Sequence, residues 1–191
     1  MKGAVFIAFN EMIESTAGID TWEQLLQKVQ PQSDGVYTSV ESYPDEELFN
    51  LVQALSEISG IEVASLVEAF GRSLFKSLND KYPQFTAQEE TFFSFIKSID
   101  GTIHKEVNKL YTNAHLPKIQ CSNNNNDELL MLYNSPRKLC VLAEGLIAGA
   151  ALHYKVDCTI EHQQCMHHGA DECLILLRIN SPQPPHGVAN E

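Results

Sequence analysis

The hydrophobic period of this chain changes once, near residue 112, and that change bounds what it can fold into. Before it, apolar residues recur at steps of three and four, as on a helix with one buried face. After it, short apolar runs bounded by turn residues appear, with one further helical stretch among them. The expected fold class is therefore α+β: a helical half, then helices on a small antiparallel sheet. The chain has 191 residues, enough for one well-buried domain or two subdomains sharing a core.

A first helix is expected over residues 4–16, through Val5, Phe6, Phe9, Met12 and Ile13. Asp20 is placed to N-cap a second over 22–29. Pro44 followed by Asp45, Glu46 and Glu47 suits a first helical turn, and that helix is expected to stop at Gly60. Another runs over 61–82, ending before Pro83. Residues 85–111 read as one long helix with an apolar stripe of Phe92, Ile96, Ile99, Ile103, Val107 and Leu110, bent at Gly101. Strands are expected over 116–121, 128–135, 156–161 and 172–180, with a helix over 138–154. An Asn-rich hairpin loop joins the first two strands. Residues 181–191 carry three prolines and are expected to fray. The implied division is 1–84, 85–180 and the tail.

Net charge is −12, from 13 basic and 25 acidic residues. That field repels phosphate backbones and anionic lipid, so neither nucleic acid nor a membrane is an expected partner. The opening apolar run has no small-residue cleavage site after it, and no window reaches a membrane span. A cytoplasmic location is expected.

Three groups of residues could carry chemistry. His104 lies one residue beside the apolar stripe; alone, it reads as an ordinary core or surface histidine. Tyr133, Ser135 and Arg137 alternate, so a strand would present two hydroxyls and a guanidinium on one face, a set suited to carboxylates. The five cysteines, an odd number, all lie beyond residue 120. Such clustering points to thiols or metal ligands rather than a disulfide framework. Cys140, His162, Cys165 and Cys173 could form a closed tetrahedral zinc site or remain thiols, with His167 and His168 as competing ligands.

Taken together, His104 in His104-Lys105-Glu106-Val107, the Tyr133-x-Ser135-x-Arg137 string that follows, and the weaker signals Met1-Lys2-Gly3 and Glu144-Gly145-Leu146-Ile147 resemble the haem–nitric oxide/oxygen-binding family. This sensor domain also occurs in soluble guanylate cyclase; the likeness here is to the bacterial stand-alone type. The resemblance spans the chain to about residue 180 and places a b-type haem between the two halves. It implies His104 as proximal iron ligand and Tyr133, Ser135 and Arg137 on the haem propionates. Pro117 would press on the haem, although a proline starting an edge strand reads the same way. Val5, Phe9, Leu142 and Leu146 would line the distal side. Cys140, His162, Cys165 and Cys173 match the zinc site of a bacterial subset, whose histidine precedes its cysteine by three residues.

Oxygen-binding members carry a tyrosine where this chain has Leu142. The resemblance therefore implies a sensor of nitric oxide, also binding carbon monoxide, in which the gas weakens the iron–histidine bond. With no nucleophile–base pair evident, the chain is expected not to be an enzyme and to signal to a separate protein. By family analogy that protein is a histidine kinase or a cyclic-di-GMP enzyme (diguanylate cyclase or phosphodiesterase). A zinc–thiol redox switch with secondary haem, or a haem enzyme, are the alternatives.

Overall fold

The computed structural model describes residues 1–111, 115–123 and 125–180. The expected frayed tail lies outside the described residues. Four helices open the fold: α1 (Gly3–Ala17), α2 (Ile19–Val29), α3 (Asp45–Ser59) and α4 (Val63–Lys81). Their inward faces build one core around Phe6, Phe9, Trp22, Leu25, Leu51 and Phe70. Gly60 follows α3, as expected. Asp20 does not cap α2. Gly18, at φ 88°, reverses the chain between α1 and α2 and takes the cap position, which leaves Asp20 inside the first turn.

The single long helix expected over 85–111 is divided. A short α5 (Gln84–Ala87) is followed by α6 (Phe92–Ser98), a π-helical turn (Ile99–Ile103) and α7 (His104–Leu110). The first break is chemical. Thr91 and Ser94 form a capping box, each side chain bonding the other's backbone N–H, so the helix must start at Phe92. The π-turn surrounds Gly101, where a bend was expected.

Four antiparallel strands follow: β1 (Lys118–Asn123), β2 (Glu128–Asn134), β3 (Cys158–Gln164) and β4 (Cys173–Ile179), in the order β1-β2-β4-β3. The α+β class expected from the sequence is the class observed. Leu129, Met131 and Tyr133 of β2 alternate inward beside Cys173, Ile175 and Leu177 of β4. Onto this face pack Phe92 and Ile96 of α6 and Ile147 and Ala150 of α8 (Cys140–His153), forming the second core.

Helix α8 also lies against α4, and glycine makes the approach possible. A Cβ on Gly145 would sit 2.2 Å from the Glu68 carbonyl oxygen and 2.8 Å from the Gly71 Cα. One on Gly71 would sit 2.5 Å from the Leu142 carbonyl oxygen. Gly145→Ala is therefore expected to destabilise the protein by about 1–3 kcal/mol in urea unfolding, because backbone must move to admit the methyl. Helix propensity alone would give a gain of about 1 kcal/mol. An alanine variant as stable as wild type would show that the crossing relaxes freely.

Candidate functional site

A π-turn holds one residue more than an α-turn, so it shifts the phase of everything after it. His104 lies one position off the stripe in sequence, and this shift turns it inward. Its side chain is 14% exposed. It faces a cleft of about 340 Å³ also lined by Asp100, Asn108, His115 and Pro117. Burial lowers the His104 pKa, against the opposing pull of Asp100, and so favours the neutral imidazole. Asp100 Oδ1 lies 3.4 Å from Nδ1, which leaves Nε2 as the nitrogen for a metal. Pro117 directly precedes the edge strand β1, where its missing N–H breaks no ladder bond.

Tyr133, Ser135 and Arg137 do not share a strand face. Strand β2 ends at Asn134, Pro136 cannot donate to a ladder, and Lys138 takes a left-handed φ of 51°. The three sit on a strand and the elbow after it. Tyr133 is buried, and burial pushes its phenol up to about 12. Ser135, also buried, accepts a hydrogen bond from the Arg137 backbone N–H at 3.3 Å. The Arg137 guanidinium reaches back to Asp45 of α3 and donates to the His115 carbonyl at 2.6 Å. The Met1 amine also meets Asp45, at 2.6 Å. Burial would raise the Asp45 carboxyl, but the Arg137 and Met1 partners outweigh it and hold it below its ordinary range.

Val5, Phe9, Leu142 and Leu146 meet in one apolar cluster, where the Phe9 and Phe70 rings pack edge to face. Leu146 touches the second core as well.

The ligand atoms of Cys140, His162, Cys165 and Cys173 all lie within 4.8 Å of one another. The Cys140 and Cys165 sulfurs are 3.9 Å apart, far too long for a disulfide. Zn–S bonds of ~2.3 Å at a tetrahedral angle would set sulfurs about 3.8 Å apart. His162 and Cys165 are three residues apart and would face opposite ways on a regular strand. A bulge between His162 and Gln164 inserts one residue and restores them to one side. His162 Nε2 is buried with no hydrogen-bond partner, an atom that a metal would satisfy. His167 Nε2 lies 2.8 Å from the Lys138 carbonyl, and the ligand cluster holds His162 instead.

A family model described as Haem-NO-binding matches residues 2–162. The chain belongs to this family. An H-NOX protein from S. oneidensis, in its Fe(II)NO ligation state, is 37% identical with a TM-score of 0.90, over 95% of this chain and 100% of that one. The H-NOX of Shewanella woodyi, bound to IWP-051 in the Fe(II)CO state, is 34% identical with a TM-score of 0.83 over the whole of both chains. The unliganded Fe(II) H-NOX of K. algicida is 26% identical with a TM-score of 0.88, over 97% and 100%. Soluble guanylate cyclase 89Db of Drosophila melanogaster is 27% identical over 139 residues, 72% of this chain and 20% of the cyclase. This chain thus spans about a fifth of that protein's length.

The H-NOX family is one of haem-based gas sensors, and the donor set here fits a haem. It offers an imidazole favoured in its neutral form, a cation and hydroxyls for carboxylates, and an apolar cluster between the N-terminal helices and α8. Asp100 and Asp45 hold His104 and Arg137, pairings that went unread in the sequence, where Asp45 figured only as an acid of a first helical turn. Asp100 had a signal, four residues before His104 on a helical stretch; Asp45, 92 residues from Arg137, had none. Among the described residues no helix is long and apolar enough to cross a membrane.

Asp45 gives a pH signature. Its stabilisation is full above the unfolded carboxyl value of about 3.9 and is lost as pH falls through the lower folded value. Asp45→Asn is expected to cost about 1–3 kcal/mol at pH 7, between an exposed and a fully buried pair. It should also flatten the acid limb below about pH 4. Urea unfolding across pH reads both, and identical limbs for the two proteins would remove Asp45 from the interaction.

Proposed function

We propose that this chain binds b-type haem through His104 and reports nitric oxide to a separate signalling protein, with no catalysis of its own. The observation that carries this is the cleft: His104 faces it beside Pro117, favoured in its neutral form and with Nδ1 engaged by Asp100. Haem iron held by such a histidine supplies a site for diatomic gases.

Each expected residue then has a role. Tyr133, Ser135 and Arg137 would hold the propionates, and the Tyr133 hydroxyl also interacts with the Ser135 side chain. Arg137 is anchored by Asp45, so the propionate grip and the helical half are held by one guanidinium. Pro117, which lines the cleft beside His104, would pack against the haem. Val5, Phe9, Leu142 and Leu146 form the distal wall. None of these four side chains can donate a hydrogen bond, and none is an acid or a base, which speaks against enzymatic haem chemistry.

That wall sets ligand choice. A hydrogen bond to oxygen's partial charge is worth roughly 1.5–3 kcal/mol, about one to two decades of affinity. Nitric oxide and carbon monoxide bind without it. His104 would be the tie between α7 and the cofactor, and a loosened tie would free residues 1–84 to turn against residues 85–180. The partner that reads this motion is a histidine kinase or a cyclic-di-GMP enzyme, a class that rests on family analogy. Zinc, held by Cys140, His162, Cys165 and Cys173, is a structural ion of the second unit.

His104→Ala is expected to abolish stable haem binding, with much of the Soret absorbance restored by free imidazole. Unchanged haem content without imidazole would assign the axial bond to another residue. The ferrous wild-type protein is expected to bind nitric oxide and carbon monoxide while forming no lasting oxygen complex in air-saturated buffer. A persistent oxygen-bound spectrum would remove Leu142 as the determinant.

A further inference from the structure

Glu144, on α8, has no part in the haem or zinc assignments, yet its carboxylate makes the polar contact of His162 among the described residues. Its Oε1 lies 2.5 Å from His162 Nδ1, and both side chains are mostly buried. The other ring nitrogen, Nε2, is buried without a partner beside the three sulfurs. We infer that Glu144 is a positioning residue for the metal centre: it accepts the Nδ1 proton of His162 and so turns the Nε2 lone pair toward the ion. The inference deepens the zinc assignment and rests on it.

The chemistry needs such a group. A neutral imidazole carries one proton on either nitrogen, and only the form protonated at Nδ1 offers Nε2 to a cation. A carboxylate at Nδ1 selects that form, fixes the ring plane and raises the basicity of Nε2. His162 is a demanding place for this control, because it sits at the β3 bulge, where strand geometry alone does not dictate where the ring points.

Glu144 also ties the centre to α8 a second time. Cys140 and Glu144 are four residues apart, hence on one helix face. Cys140 supplies a sulfur directly, and Glu144 acts through His162 of β3. The β3–β4 turn closes the clamp from its own side: the Met166 N–H donates to the Cys173 sulfur at 3.3 Å, and Lys138 Nζ donates to the Met166 carbonyl at 3.3 Å. The first turns of α8 are thus gripped at two points against the β3–β4 hairpin.

The test uses the whole 191-residue chain purified without chelator. Wild type is expected to hold one zinc per chain, and its affinity is read by competition with a chromophoric chelator. Glu144→Ala should weaken zinc roughly ten- to a hundred-fold. Glu144→Gln keeps an acceptor but loses the charge, and should fall between the two. Glu57→Gln, at a surface carboxylate paired with Lys28, is the control and should leave affinity unchanged. Nitrogen-15 NMR of the zinc-loaded protein supplies a readout that a purely structural ion pair would not move: a slowly exchanging Nδ1 proton on His162, present in wild type and lost in Glu144→Ala. A zinc-loaded wild type whose affinity and Nδ1 proton survive Glu144→Ala overturns the inference alone. A wild type with no zinc overturns the zinc assignment and the inference together.

Discussion

The close crossing of α4 and α8 is the constraint on which the rest of the structure depends. Two glycine surfaces meet there, Gly71 against Gly145, with the Glu68 and Leu142 carbonyls where Cβ atoms would otherwise stand. The approach lets one helix serve both cores. Leu142 and Leu146 of α8 face the cluster of the N-terminal helices, while Ile147 and Ala150 face the sheet. Leu146 touches both, so the interior is continuous rather than two separate folding units.

Because α8 holds that place, the two candidate sites are mechanically close. The helix starts at Cys140, three residues after Arg137, so the segment carrying the guanidinium proposed for the propionates runs straight into a proposed metal ligand. Arg137 is held on its far side by Asp45 of α3 and by the His115 carbonyl two residues before Pro117. Side-chain charge therefore connects the helical half, the elbow and the cleft. Removing one partner of such a partly buried pair leaves the other charge uncompensated, so the contact holds the elbow and α3 in one register.

Much of this was legible in local pattern, and the misses have local causes. The α+β class, the strand positions and the stops of α3 and α4 followed from periodicity and from glycine and proline. The 85–111 stretch was misread as one helix because its apolar stripe, which begins at Phe92, keeps period across Gly101, and the break at Thr91 lies before the stripe starts. Periodicity reports a buried face, not continuity of hydrogen bonding. Asp20 was misread as a cap because Gly18 already filled that place with a backbone conformation a side-chain rule does not see. The strand face proposed for Tyr133, Ser135 and Arg137 failed because alternation holds only while the ladder lasts, and the ladder ends at Asn134.

The sequence by itself determined the chemistry available: an imidazole beside an apolar stripe, a guanidinium and two hydroxyls in short succession, three thiols and a histidine at ligand spacing, and a leucine where a donor could have stood. These are properties of residue type and short separation, and short separation is what a sequence displays. Only the tertiary structure decided their geometry. The π-turn turned His104 inward, the β3 bulge brought His162 to the side of Cys165, and folding set Asp45 against Arg137 across 92 positions. Glu144 gained its meaning in the same way, 18 residues from His162 in sequence and one hydrogen bond away in space. The physical reason is the same in each case. Helical phase, strand register and long-range pairing are set by the packing of whole elements, and no residue type encodes them alone.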